Sequence, residues 1–129
     1  MKLCYFAHPI SEYGTAKQRK AIVMITRAGW NVLNPDTVAH QIGYKAAGAK
    51  GMDYFVNLVK KCDALALLPF PDERIGAGVG KEMETAFDMG IPVYKVFIEG
   101  NVASLTPVDK MPKNILSVEE TRERLKKFR

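Results

Sequence analysis

Residues 64–97 read ALALLPFPDERIGAGVGKEMETAFDMGIPVYKVF. The run Ala64–Phe70 is continuously apolar, as expected of a strand buried on both faces. Three glycines follow within five residues, at 76, 78 and 80. Val79, Met83, Ala86 and Phe87 then fall at helical spacing, which predicts a helix over about 79–89. Gly90 ends it as a C-cap would, and IPVYKVF begins another strand. A strand, a glycine loop, a helix and a strand make a βαβ unit, and that unit implies a parallel sheet.

The same alternation holds upstream. LCYFA at 3–7 is a short apolar strand, closed by Pro9. Ala21, Ile22, Ile25 and Ala28 place a helix over 15–28, stopped at Gly29. WNVL at 30–33 is a second strand, ended by Asn34-Pro35. Residues 34–50 show no clear period and read as a long loop. Met52, Phe55, Val56, Val59 and Cys62 make one face of a further helix. The order is β-α-β-α-β-α-β with a tail helix. It predicts one Rossmann-like, flavodoxin-like α/β domain over 1–129, with a parallel sheet of four to five strands and helices on both faces. Ligands of such sheets bind beyond the carboxyl ends of the strands. The loops at 8–14, 34–51 and 70–80 are therefore the ones that matter.

A chain of 129 residues, 47% hydrophobic and 26% charged, has the composition of a globular domain. No apolar run is long enough to span a membrane. The apolar N-terminus is too brief for a signal peptide, so a cytoplasmic location is expected. Cys4 and Cys62 lie in apolar stretches and read as buried thiols rather than a disulfide. No Cys/His cluster has metal-ligand spacing, and no metal or cofactor is expected. The net charge of +5 is uneven: residues 110–129 carry seven Lys/Arg against three Asp/Glu, and the rest twelve against eleven. Glu119, Glu120 and Glu123 interleave with the cations, as on a solvated helix face, so nucleic acid is not the expected partner. Leu116, Val118, Leu125 and Phe128 supply the apolar side on which this basic helical tail would dock.

The glycines fit neither common phosphate motif. A dinucleotide fingerprint needs G-x-G-x-x-G after the first strand; here G-x-G-x-G follows the third. A P-loop needs a hydroxyl after its lysine, and Glu82 stands there. A glycine loop before a helix still offers backbone N–H groups and the positive end of the helix dipole. Its plain alternative is a tight turn. Around the helix, Lys81, Glu84 and Asp88 point away from the apolar stripe, and Glu82 falls on its flank in the first turn. There the dipole favours an ionised carboxylate, which can attack an electron-poor carbon such as a sugar C1. The plain alternative is an acid that merely complements the dipole.

YFAHPI on the first strand and GVGKEMETA after the third resemble the nucleoside 2-deoxyribosyltransferase-like superfamily. The resemblance spans residues 3 to about 97. It rests on Tyr5-Phe6, Cys62-Asp63-Ala64-Leu65, Gly78-Val79-Gly80, Glu82 and Ala86 together. It implies that Glu82 attacks the anomeric carbon of a nucleoside, and that water or a second base resolves the covalent intermediate. Tyr5 matches the tyrosine that holds the nucleophile, and is otherwise a core aromatic. Asp53 matches the acid that assists the leaving base, and is otherwise a helix N-terminal acid. His8, Pro9, Asp72, Gly76, Gly78, Val79 and Gly80 would contact substrate.

The Gly-Val-Gly-x-Glu form resembles the branch that hydrolyses nucleoside 5′-monophosphates, where this loop holds the phosphate. The resemblance also implies a homodimer or larger, with Asn101 or Ser104 of a neighbour completing the site. Two alternatives stand beside this reading. One is a nucleotide-sensing module with the same pocket and no turnover. The other is a phosphoribosyl-hydrolysing family whose P-G-G-x-G-T-x-x-E motif lacks a counterpart here.

Overall fold

The computed structural model describes residues 2–48 and 51–126. Strand β1 is Leu3–Ala7, helix α1 Ala16–Arg27, and strand β2 Asn31–Leu33. Helices α2 (Val38–Ala47) and α3 (Gly51–Val59) follow, then β3 (Ala64–Leu67) and α4 (Ala77–Asp88). Strands β4 (Val93–Glu99) and β5 (Val102–Val108) precede α5 (Val118–Lys126). The sheet order is β2-β1-β3-β4-β5. β1 pairs in parallel with β2 and β3, and β3 with β4. This is a Rossmann-like α/β fold with the flavodoxin strand order. Among the described residues no helix is long and apolar enough to cross a membrane.

The strand parity of β1 divides the core. Tyr5 and Ala7 join Leu65, Leu67, Val59 and Met83 on the face covered by α3 and α4. Cys4 and Phe6 join Ala64, Ala66, Ile25 and Val96 on the face covered by α1. Successive strand residues point to opposite faces, so a tyrosine at 5 and a phenylalanine at 6 cannot share a layer. Both cysteines are free and buried.

The structure corrects the sequence reading at three places. The fifth strand is antiparallel: β5 folds back on β4 through a turn at Gly100, whose φ of 59° suits glycine. Alternation in VASLTPV is too polar to announce a strand, because β5 is an edge with few buried positions. The loop expected over 34–51 holds α2. Thr37 caps it, accepting from the His40 N–H at 3.3 Å. Its period is masked by Gly43, which lets the Tyr54 ring of α3 lie on the helix backbone, while Gly51 admits Tyr44 in return. Third, α4 begins at Ala77, so Gly78 and Gly80 belong to its first turn and Glu82 to its second. Of the tail, α5 is helical as expected, Leu116 is buried and Leu125 half-buried, but Val118, expected on the docking side, is exposed. Phe128 lies outside the described residues.

Candidate active site

β1 and β3 are adjacent in the sheet, yet the chain leaves them toward opposite sides. That divergence opens a crevice at their carboxyl ends. Tyr5 is fully buried, and its hydroxyl donates to Oε2 of Glu82. No described residue bonds the second oxygen, Oε1. Glu82 lies on the side of α4 that carries Val79, Met83 and Ala86, one turn past the helix start. Lys81, Glu84 and Asp88 are exposed, as the helical spacing predicts.

Burial changes the electrostatics expected of Glu82. Loss of solvation pushes its carboxyl up to about 8, against the downward pull of the Tyr5 hydroxyl. The dipole was expected to favour the ionised form, but it acts mainly on the first turn, and Glu82 stands in the second. The carboxyl is therefore mostly protonated at neutral pH. Burial raises the Tyr5 phenol far above its ordinary value, with the Glu82 charge adding to the effect. Tyr13 is raised for the same two reasons.

His8 leaves β1 at the same edge. Its ring stacks on Phe6 with centroids 4.0 Å apart, and Nδ1 lies 2.9 Å from the Phe6 carbonyl. A carbonyl only accepts, so Nδ1 carries the proton and Nε2 keeps its lone pair. Desolvation lowers the imidazole to about 4, so it stays neutral, despite a raising influence from Asp36. Nε2 is buried and has no partner.

The α4 N-terminus is closed from α5. Gly76 is the N-cap and supplies no side chain; the Ala77 N–H donates instead to Thr121 Oγ1 at 2.9 Å. The Thr121 hydroxyl in turn donates to the Ser117 carbonyl at 2.7 Å. Arg124 of α5 pairs with Asp72 at 2.6 Å and lies 5.0 Å over the Phe70 ring. The cavity enclosed by these groups measures about 180 Å³. Tyr5, His8, Tyr13 and Glu82 give its polar side, and Tyr44, Phe55 and Phe70 its aromatic walls. Tyr44 and Phe55 stack on one another at 5.2 Å.

Of the residues singled out in the sequence, Tyr5, His8, Pro9, Gly76, Gly78, Val79 and Glu82 line this cavity. Asp53, Asp72 and Gly80 do not. Asp53 is exposed, because adjacent helical positions diverge and its neighbour Met52 takes the cavity side. Asp72 turns to Arg124 instead. Gly80 serves packing: a Cβ there would stand 2.8 Å from Ile115 Cγ2. Asn101 sits in the β4–β5 turn and Ser104 on β5, both exposed and outside this cavity. Sequence reasoning missed Tyr13, Gln41, Tyr44, Phe70 and Thr121. Tyr13 and Phe70 stand in loops that the strand order had marked; Thr121 needed the docking of α5. Among the described residues no three His, Cys, Asp or Glu side chains gather as metal ligands. The chain matches no protein-family model, no curated protein and no solved structure.

Proposed function

We propose that this chain cleaves the N-glycosidic bond of a nucleoside, or of its 5′-monophosphate, through attack by Glu82. The observation that carries the reading is the Tyr5–Glu82 pair at the floor of an aromatic-walled cavity at the switch point of the sheet. Tyr5 fixes one carboxylate oxygen and leaves the other for the anomeric carbon. The Oε1–C1 bond forms as the C1–N bond breaks, and the bond pair goes to the base nitrogen. Water, or a second base, then takes the sugar from Glu82. The aromatic walls suit the flat faces of a base. The sugar configuration is retained, because two displacements occur at one carbon.

The test is trapping. Wild-type protein quenched during turnover of a slow 2-fluoro nucleoside should carry the sugar on the peptide containing Glu82. A label on another residue, with full activity in Glu82→Gln, would discard the covalent route. One observation favours a second reading, a nucleotide-sensing module without turnover. No other carboxyl among the described residues lines the cavity to protonate a leaving base. Binding across a panel of nucleosides and monophosphates, with none cleaved, would establish that reading instead.

Assembly belongs to the same proposal. Ile10, Tyr44 and Met52 line the cavity and are exposed, at 64%, 44% and 37%. We infer that a second copy covers this rim and that Asn101 or Ser104 of that copy reaches the substrate. Sedimentation showing a fully active monomer would refute it.

A further inference from the structure

The polar groups around the cavity have mostly spent their protons. The Tyr5 hydroxyl donates to Glu82, and the Thr121 hydroxyl to Ser117. His8 Nδ1–H faces the Phe6 carbonyl, and the Gln41 amide donates to the Pro35 carbonyl at 3.0 Å. What remains is neutral: the acceptor lone pairs of His8 Nε2 and Thr121 Oγ1, the unpartnered Tyr13 hydroxyl, and the protonated Glu82 carboxyl. His8 is 5% exposed and its Nε2 is the unsatisfied atom, so a buried acceptor stands beside the cavity without a donor.

The anion seat on α4 is partly filled. A helix start suits an anion because its first N–H groups lack carbonyl partners. Here the Ala77 N–H is taken by Thr121. The Gly76, Gly78 and Val79 N–H groups are left, and Glu82 follows Gly78 by four residues, about 6 Å along the axis. An anion there would face the remaining lone pair of Thr121 Oγ1. No Lys or Arg among the described residues lines the cavity to balance it.

We propose that the site takes the uncharged nucleoside and turns away its 5′-phosphate, and that Thr121 is the specificity-determining residue, closing the anion seat of α4. The proposal rests on the nucleoside reading above and decides between its two substrate classes. It opposes the monophosphate preference implied by the Gly-Val-Gly-x-Glu form. The sugar hydroxyls of a nucleoside both donate and accept, and they match the neutral lone pairs and hydroxyls this cavity presents.

Two measurements test it on the full chain. The first follows backbone amide resonances of Gly76 to Val79 during titration with inorganic phosphate. Wild type should show no saturable shift; Thr121→Ala, which frees the Ala77 N–H, should show one; Thr121→Ser, which keeps the hydroxyl, should behave as wild type. The second compares each nucleoside with its 5′-monophosphate by calorimetry. Wild type should favour the nucleoside by at least about tenfold, and Thr121→Ala should narrow the ratio. Saturable phosphate binding by wild type, or a tighter monophosphate, overturns the proposal. If neither nucleosides nor monophosphates bind while phosphate still fails to saturate wild type, the nucleoside reading falls and the closed seat stands.

Discussion

On one face of β1, Cys4 and Phe6 share a cluster with Ala21 and Ile25 of α1. On the other, Tyr5 shares one with Met83 of α4 and meets Glu82. All three strand side chains are buried to the same extent, at 1% exposure or less. The first face is held by apolar packing without a buried carboxyl and gains from the apolar surface it removes from water. The second carries a carboxyl that would be better solvated in the unfolded chain. Its burial disfavours the charged form, and the site exists at a cost in stability. The difference marks the face on which packing alone does not account for the residues present.

The largest expected effect is on catalysis, and it falls on the second face only. Glu82→Gln should lower cleavage by several orders of magnitude, since a neutral amide cannot attack C1. On the proposed mechanism the ionised fraction of Glu82 is the nucleophile. Its carboxyl sits at about 8, so kcat/KM should rise about tenfold per pH unit below that value and level off above it. A flat profile from pH 6 to 9 in initial-rate assays would show that Glu82 does not act as an ionised base or nucleophile.

Stability separates the two faces by sign. Ile25→Ala, on the α1 face, should cost about 2–5 kcal/mol, because it leaves a cavity in fully packed surroundings. Glu82→Gln should stabilise, and the gain should depend on pH. The folded carboxyl lies at about 8, above its unfolded value of 4.5. The folded state therefore holds a proton that the unfolded state has released. Wild-type stability is intact below pH 4.5 and is lost as pH rises toward 8. Glutamine does not titrate, so the variant should gain nothing near pH 4.5 and on the order of a few kcal/mol near pH 8. Urea melts at both pH values would read it; an equal effect at both would mean that Glu82 is solvated in the folded state.

Much of the first face, and half of the second, was legible in the sequence. Strand periods and glycine stops gave β1, α1, β3, α4 and the parallel order. Helical spacing set Glu82 apart from Lys81, Glu84 and Asp88. What stayed hidden depends on contacts between distant segments. The α2 pattern is broken by Gly43, whose purpose is the Tyr54 ring. The cap on α4 comes from Thr121, 44 residues downstream. The raised carboxyl of Glu82 follows from how many elements cover it, and no local pattern counts them. Asp53 was placed in the site by the family resemblance alone, and the helix turned it outward.

The smallest test stays within α4 and separates packing from function in a single turn. Gly78 and Gly80 both sit in its first turn with negative φ, so neither is required by backbone conformation. Alanine is favoured over glycine inside a helix by about 1 kcal/mol. At Gly80 a Cβ would meet Ile115 Cγ2 at 2.8 Å, so the neighbour must shift and the propensity gain should be cancelled. At Gly78 the nearest atom to such a Cβ is Met52 Sδ at 3.9 Å, an ordinary contact. Gly78→Ala should therefore raise the melting temperature slightly while Gly80→Ala leaves it unchanged or lowers it. Yet Gly78 lines the cavity, and a methyl there occupies space a ligand would use. The more stable variant should bind nucleoside more weakly, which would explain a glycine retained where alanine folds better. A Gly78→Ala protein that is both more stable and equally tight in binding would show that no ligand approaches this turn.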